Sequence, residues 1–348
     1  MFASIRKYTL LSTVVLLTAL IGCRKDPVIT TDGQVTAEAG FRIPQGWPAP
    51  HYSFAENPLK STVIQLGKRL FNDPTLSRDS TISCGSCHQP AAAFSQADHV
   101  LSHGVAGRLG VRNTPGLFNM AWHPSLMWDG GANNLETQIL APLQNHVEMD
   151  LMAQEALDRI AATPDYRQAF RTVYGTDEIT LSRTLKAIAQ FMAILISDDS
   201  KWDQVQSGKA QFTQTEAAGE QVFQQRCATC HQPPLFTDFS FRNNGLMPGA
   251  TNDSGRMLIT REQNDQYRFK VPSLRNLSFT PPYFHDGRAP TLDAVLQHYS
   301  TAVQSQHSAN TDPILQGGVP LSGSDKANLK AFLITLNDSS FATNPRFR

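Results

Sequence analysis

Charge of one sign is what this chain most plainly lacks: 30 Lys and Arg balance 30 Asp and Glu over 348 residues, and only 17% of residues are charged. The balance excludes a nucleic-acid binder that grips phosphates through a basic face, and with 41% hydrophobic residues it excludes an acidic disordered chain. Convincing alternation of apolar and polar residues is scarce, which argues against a sheet protein. Cysteine is sparse as well, with five in all: Cys23, Cys84, Cys87, Cys227 and Cys230. An odd count would leave one reactive thiol in an exported protein, so each has to be accounted for. What remains is a chain long enough for about two domains, each able to bury its own core.

Arg6 and Lys7 precede Leu10–Ile21, an uncharged apolar run of twelve residues, too short to span a bilayer comfortably. The run ends Leu20-Ile21-Gly22-Cys23, which resembles the lipobox of bacterial lipoproteins. That resemblance implies a signal peptide over residues 1–22, a lipid anchor on Cys23 and a location on the periplasmic side of a bacterial membrane. An ordinary secretory signal with an incidental cysteine is the alternative. Residues 23–56, rich in Thr, Pro and Gly, read as a tether, with Phe41, Trp47, Tyr52 and Phe54 expected to pack on the body.

The other four cysteines stand in Cys84-Gly85-Ser86-Cys87-His88 and Cys227-Ala228-Thr229-Cys230-His231, each followed by Gln-Pro. The spacing lets two thiols add to the two vinyl groups of one haem while the adjacent histidine reaches the iron. Two covalent haem c groups are therefore expected. A zinc site would need thiolates from distant segments and would leave both histidines unexplained; disulfides at this spacing usually belong to redox motifs in a βαβ pattern, which is not evident here. The repeat extends upstream, since Gly67-Lys68-Arg69-Leu70-Phe71 and Gly219-Glu220-Gln221-Val222-Phe223 share one Gly-to-Phe offset. An internal duplication follows.

Helical periodicity dominates elsewhere. Asn57-Pro58 reads as the cap and first turn of a helix ahead of the first motif, and Thr213 with Glu216 as a capping box ahead of the second. Helices are expected from Met152 to Ile160, from Thr163-Pro164, from Thr180 through Leu195, and from Ser324 through Leu336. Polar Lys201–Phe212 reads as the connection between halves. The expected fold is all-α, two cytochrome c-like haem domains with long functional loops, over residues 57–205 and 206–348.

Several blocks in those loops carry a wider resemblance: Leu70-Phe71-Asn72-Asp73-Pro74-Thr75-Leu76-Ser77, Arg112-Asn113-Thr114-Pro115, Met127-Trp128-Asp129-Gly130-Gly131, Glu148-Met149, Pro272-Ser273-Leu274-Arg275-Asn276 and Pro282-Tyr283-Phe284-His285-Asp286-Gly287. Together with the motifs they resemble the bacterial di-haem cytochrome c peroxidase family, which includes the MauG-type enzymes, over roughly residues 42–338. The resemblance implies that hydrogen peroxide reacts at the N-terminal haem, held by Cys84, Cys87 and His88. The C-terminal haem, held by Cys227, Cys230 and His231, would take electrons from a small c-type cytochrome or cupredoxin. Glu148 matches the distal glutamate that moves a proton between peroxide oxygens, and Pro142 a proline over the same haem face. Trp128 matches a tryptophan between the haems. Asn113, with the carbonyls of Thr280 and Pro282, matches an interdomain calcium site. His103, with His99 nearby, lies in the loop where these peroxidases often carry a resting-state iron ligand, although it stands ten residues before Asn113, two more than the family pattern. A homodimer is common in the family.

Tyr299 sets the subtype. It stands fourteen residues after His285, where the peroxidases typically place an axial methionine and MauG-type enzymes a tyrosine, and no Met follows Met257. A phenolate is hard and anionic and lowers the iron potential relative to a thioether. Three functions are thus in view: a peroxidase with a small redox donor, a MauG-like enzyme that stores both oxidising equivalents and oxidises a partner protein, and a non-enzymatic electron carrier.

Overall fold

The computed structural model describes residues 41–97, 99–301, 303 and 310–348; the expected signal and Cys23 lie outside them. Its helices are α1 (Ser61–Phe71), α2 (Cys84–Cys87), α3 (Leu135–Gln138), α4 (Leu140–Gln144), α5 (Ala153–Ala162), α6 (Pro164–Tyr174), α7 (Leu181–Ala193), α8 (Lys201–Gln206), α9 (Gln214–Arg226), α10 (Met257–Thr260), α11 (Leu292–Ser300), α12 (Gly323–Ile334) and α13 (Ser339–Ala342). Among the described residues the sheet content is one antiparallel pair, β1 (Phe241–Arg242) and β2 (Phe269–Lys270), with Phe241 opposite Lys270. No helix among them is long and apolar enough to cross a membrane.

Each half is organised on one helix crossing. In the first, α1 buries Val63, Ile64, Leu66, Leu70 and Phe71 at helical spacing against α7, whose Thr180 cap accepts from the Arg183 N–H. In the second, α9 opens on the Thr213–Glu216 capping box and crosses α12. The repeated glycine is what permits both crossings. A Cβ on Gly67 would overlap the Ala187 carbonyl, and a Cβ on Gly219 the Asn328 carbonyl. The Phe four residues on is fully buried in each case, worth about 1.5–3 kcal/mol of apolar transfer apiece. The duplicated Gly-to-Phe offset therefore encodes one close helix contact and one core anchor, twice.

Several boundaries differ from the sequence expectation. The first helix starts at Ser61, because Asn57 is buried and its side chain bonds Tyr52, Glu136, Gln190 and the Lys186 carbonyl instead of capping. The first haem motif forms its own turn, α2, closed by a Ser83–Ser86 capping box, whereas the second follows directly on α9. Lys201–Phe212 is not all connection: Ser200 and Asp203 form a capping box for α8. Wholly buried Arg275 grips Asp203 through two bonds of 2.7 Å, and Trp202 joins the second core. The cap of α12 is Ser322, paired with Asp325, two residues ahead of Ser324. At the other end Phe341 and Phe347 return to the first core and pack on Phe94, so the chain terminus staples one half to the other.

The halves meet along a polar and aromatic seam. Arg112 bonds Asp129 at 2.5 Å and reaches across to both oxygens of Asp253 at 2.6 and 2.9 Å. The Asn113 N–H donates to the His285 carbonyl and the Lys270 N–H to the Trp128 carbonyl, each at 2.7 Å. Phe269 stacks on His285 with ring centroids 3.7 Å apart.

Candidate functional site

The two motif histidines are oriented alike. Ala93 and Phe94 take left-handed backbone conformations that turn the Phe94 carbonyl onto His88 Nδ1, at 2.7 Å. His231 Nδ1 lies 3.2 Å from the Phe236 carbonyl and 3.1 Å from that of Pro272. A carbonyl only accepts, so each Nδ1 carries the proton and each Nε2 keeps its lone pair for a metal. Burial pushes the His88 pKa down to about 4 and that of His231 below its usual value, so both rings are neutral, as iron ligation requires. Burial likewise pushes the Cys84 and Cys227 thiols up to about 12 and Cys87 to about 11, opposite to the low values of redox dithiols. The zinc alternative finds no support, since no cluster of three His, Cys, Asp or Glu side chains suited to a metal exists among the described residues. Each motif thus fits a thioether-linked haem with one histidine on its iron.

Glu148 lies beside the first motif, close enough that its charge helps raise both thiols. It sits in the loop after α4, where Asn145 holds it: Asn145 Nδ2 donates to Glu148 Oε1 at 3.0 Å and Asn145 Oδ1 accepts from the Val147 N–H at 3.2 Å. Asp150 anchors the loop to Arg78 and Arg108, each at 3.1 Å. Desolvation raises the Glu148 pKa, opposed by the Asn145 bond. The His103 loop packs directly on this segment. Gly104 permits it, because a Cβ there would overlap the Val147 and Glu148 carbonyls. The Val105 N–H donates to the Glu148 carbonyl at 2.8 Å, and the Cys87 thiol lies 3.7 Å from the His103 carbonyl. His103 itself is exposed, its ring edge-on to His99 at 4.6 Å. The structure therefore brings Cys87, Glu148 and the His103 loop together.

At the second motif, Tyr299 on α11 is held by a hydrogen bond to the Asn244 side chain and lies within electrostatic reach of Cys227 and Cys230. Burial pushes its phenol up to about 12. Asn244 also accepts from His298 Nε2 through its backbone carbonyl, at 2.9 Å.

Between the motifs, Trp128 Nε1 donates to the Asn113 carbonyl at 2.9 Å. Asn113 Nδ2 donates to the carbonyls of His99 and Val100 at 3.3 and 3.1 Å, leaving Oδ1 as its side-chain oxygen acceptor. The Asn113–His285 backbone bond brings Asn113 against the segment that contains Thr280 and Pro282; none of the described hydrogen bonds joins it to either residue. Sequence reasoning missed Asn145, Asn244, Lys270 and the Arg112–Asp253 clamp. Arg112 stands inside a quoted block and Asn145 three residues ahead of one, whereas Asn244 and Lys270 carried no local signal.

The repeated helix crossing and the two matched Cys-x-x-Cys-His turns define a predominantly helical protein with two c-type haem attachment motifs. Residues 61–211 match the family described as di-haem cytochrome c peroxidase. The methylamine utilization protein MauG of Methylorubrum extorquens is 34% identical over 305 residues, covering 86% of this chain and 84% of that protein. Cytochrome c551 peroxidase of Nitrosomonas europaea is 35% identical over 266 residues, 75% of this chain and 79% of that one. Among solved structures, a MauG-like protein associated with microbial copper homeostasis aligns with a TM-score of 0.81 at 31% identity, over 88% of this chain and 97% of that one. The chain belongs to the di-haem cytochrome c peroxidase family that includes the MauG proteins, and membership implies two haem c groups.

Proposed function

We propose that the protein reduces hydrogen peroxide to water at its N-terminal haem, with electrons entering through the C-terminal haem from a small periplasmic c-type cytochrome or cupredoxin. The observation that carries this reading is Glu148, a half-buried carboxylate with a raised pKa held by Asn145 beside the first motif. When bound, the haems supply the iron that breaks the O–O bond and passes electrons. Glu148 takes the proton from one peroxide oxygen and returns it to the other, so that the departing oxygen leaves as water. His88 and His231 offer Nε2 to the two irons, and Tyr299 offers its phenol to the second. Trp128 relays electrons between the haems. It keeps its indole proton while doing so, because its partner is a carbonyl and not a base.

Asn113 Oδ1 with the Thr280 and Pro282 carbonyls holds calcium at the seam, where a hard cation would stiffen the Trp128 surroundings. His103 is the resting-state ligand that the loop supplies, released to open the peroxide site. Cys23 carries the lipid anchor and keeps the enzyme on the periplasmic side of the membrane.

Tyr299 favours a second reading, a MauG-like oxidant of a partner protein, because an anionic oxygen ligand makes the second iron a poorer acceptor for electrons from an ordinary cytochrome. Stopped-flow mixing of the diferric holoprotein with peroxide, followed optically and by EPR, separates the readings. Reaction only after prior reduction of one haem, followed by oxidation of a reduced donor, supports the peroxidase. Rapid loss of both ferric signals supports the partner-protein oxidant. No reaction in either state rejects both.

A further inference from the structure

Lys270 is an anomaly that the proposed reaction leaves unused. It is 8% exposed, in β2 at the seam between the halves, and among the described ion pairs it has none. Its ammonium is met by the Ser125 carbonyl at 2.8 Å and by His123 Nδ1 at 3.2 Å. A buried lysine ordinarily has a carboxylate partner, because an uncompensated ammonium away from water is costly. The other charges of the seam are already committed. Arg112 is shared between Asp129 and Asp253, Arg242 between Asp238 and Asp312, and Arg256 lies over the Phe241 ring and donates to the Asp129 carbonyl. Asp129 is the carboxylate whose field reaches Lys270.

Two further contacts give this pair a direction. The Lys270 backbone N–H donates to the Trp128 carbonyl, so β2 is pinned to the segment that carries the indole. His123 also lines a cavity of about 450 Å³, bordered by His51, Glu56, Asn133 and Glu136. An ammonium only donates, so His123 Nδ1 is the acceptor and its proton resides on Nε2. A proton given to Nδ1 can therefore be matched by one released from Nε2.

We propose that Lys270 and His123 form the proton-exchange pair of Trp128, discharging one proton to water in the cavity when the indole gives up one electron. The proposal rests on the relay role given to Trp128 above. The electron leaves toward the peroxide-oxidised iron, and the indole keeps its N–H on the Asn113 carbonyl. One proton passes from Lys270 Nζ through His123 to water, so the net charge of the seam is unchanged, and re-reduction of Trp128 reverses both movements. Burial supports the exchange by pushing the Lys270 pKa down to about 7 and that of His123 well below its usual value.

The test follows equilibration of oxidising equivalents between the haems after peroxide is mixed with the holoprotein, from about pH 6 to about pH 9, in wild type, Lys270→Met, Lys270→Gln and Trp128→Phe. Wild type is expected to speed up about tenfold across this range as Lys270 loses its proton. Both Lys270 variants should be flat with pH at the fast limit, and Trp128→Phe slow throughout. Gln keeps a donor for the Ser125 carbonyl, so it serves if Met disturbs folding. Lys270 variants that retain the wild-type pH profile while Trp128→Phe is slow overturn the proton pair alone. A Trp128→Phe variant as fast as wild type overturns the relay, and the pair with it.

Discussion

Glu148→Gln tests the proposed chemistry with little structural disturbance. Asn145 Nδ2 donates to Glu148 Oε1 at 3.0 Å, and the Oε1 of a glutamine accepts the same bond, so the side chain keeps its place. What disappears is the group able to take a proton. A positioned acid–base typically contributes two to four orders of magnitude, so the rate of reaction with peroxide should fall by about that factor, or ~3–5 kcal/mol of barrier. The wild-type pH profile supplies a second reading. Only the carboxylate can accept a proton, so the rate should rise with pH through the Glu148 pKa, which burial places above the ordinary carboxylate range. Asn145→Ala removes the bond that lowers this pKa, and the rise should move to higher pH. Stability runs the other way. A raised folded-state pKa favours the fold below the unfolded pKa, and that contribution is lost as pH rises through the folded pKa, so at neutral pH the glutamine variant should unfold no earlier than wild type. Stopped-flow absorbance against pH, with thermal melts alongside, measures all three. Glu148→Gln rates within about threefold of wild type at every pH would refute the assignment.

Tyr299→Met should raise the potential of the C-terminal haem, because a thioether favours ferrous iron where a phenolate disfavours it; a redox titration with an unchanged midpoint would remove Tyr299 from the iron. Arg112→Leu strips the partner from Asp253, whose side chain is 5% exposed, and should cost about 3–5 kcal/mol of stability with loosening of the seam; a melt within a degree of wild type would show that the clamp is dispensable. Gly219→Ala sets about 1 kcal/mol of gained helix propensity against overlap with the Asn328 carbonyl; overpacking typically costs about 1–3 kcal/mol, and an immovable backbone puts this case at the upper end. Net destabilisation in a denaturant titration is expected, and a stabilised variant would contradict the close crossing.

The parts of the site that were legible in the sequence are those whose chemistry is local. Two thiols and a histidine within five residues can be read without knowing the fold, and so can the Thr213–Glu216 capping box that opens α9. The repeated Gly-to-Phe offset was visible as a duplication, while its meaning, a carbonyl from α7 or α12 pressed against the glycine, was not. The misplaced helix starts have different causes: at α12 the local Ser322–Asp325 capping box sets the start ahead of Ser324, whereas the start of α1 is decided by tertiary contacts. Asn57 has the chemistry of a cap, but tertiary bonds to Gln190 and Glu136 take its side chain, and no local rule anticipates that competition.

The sequence by itself determined the helical class, the two Cys-x-x-Cys-His turns, the family blocks that point to Glu148 and Trp128 and the offset from His285 that points to Tyr299, because hydrophobic period and covalent spacing are properties of short stretches. Only the tertiary structure decided how those residues are supported. Asn145 beneath Glu148, Asn244 on Tyr299 and Arg112 across to Asp253 act through contacts that sequence separation conceals. Lys270 meets His123 from 147 residues away. In isolation it reads as one more surface cation. Burial without a carboxylate partner among the described ion pairs makes it an unexpected charge, and burial is set by the packing of two halves against each other.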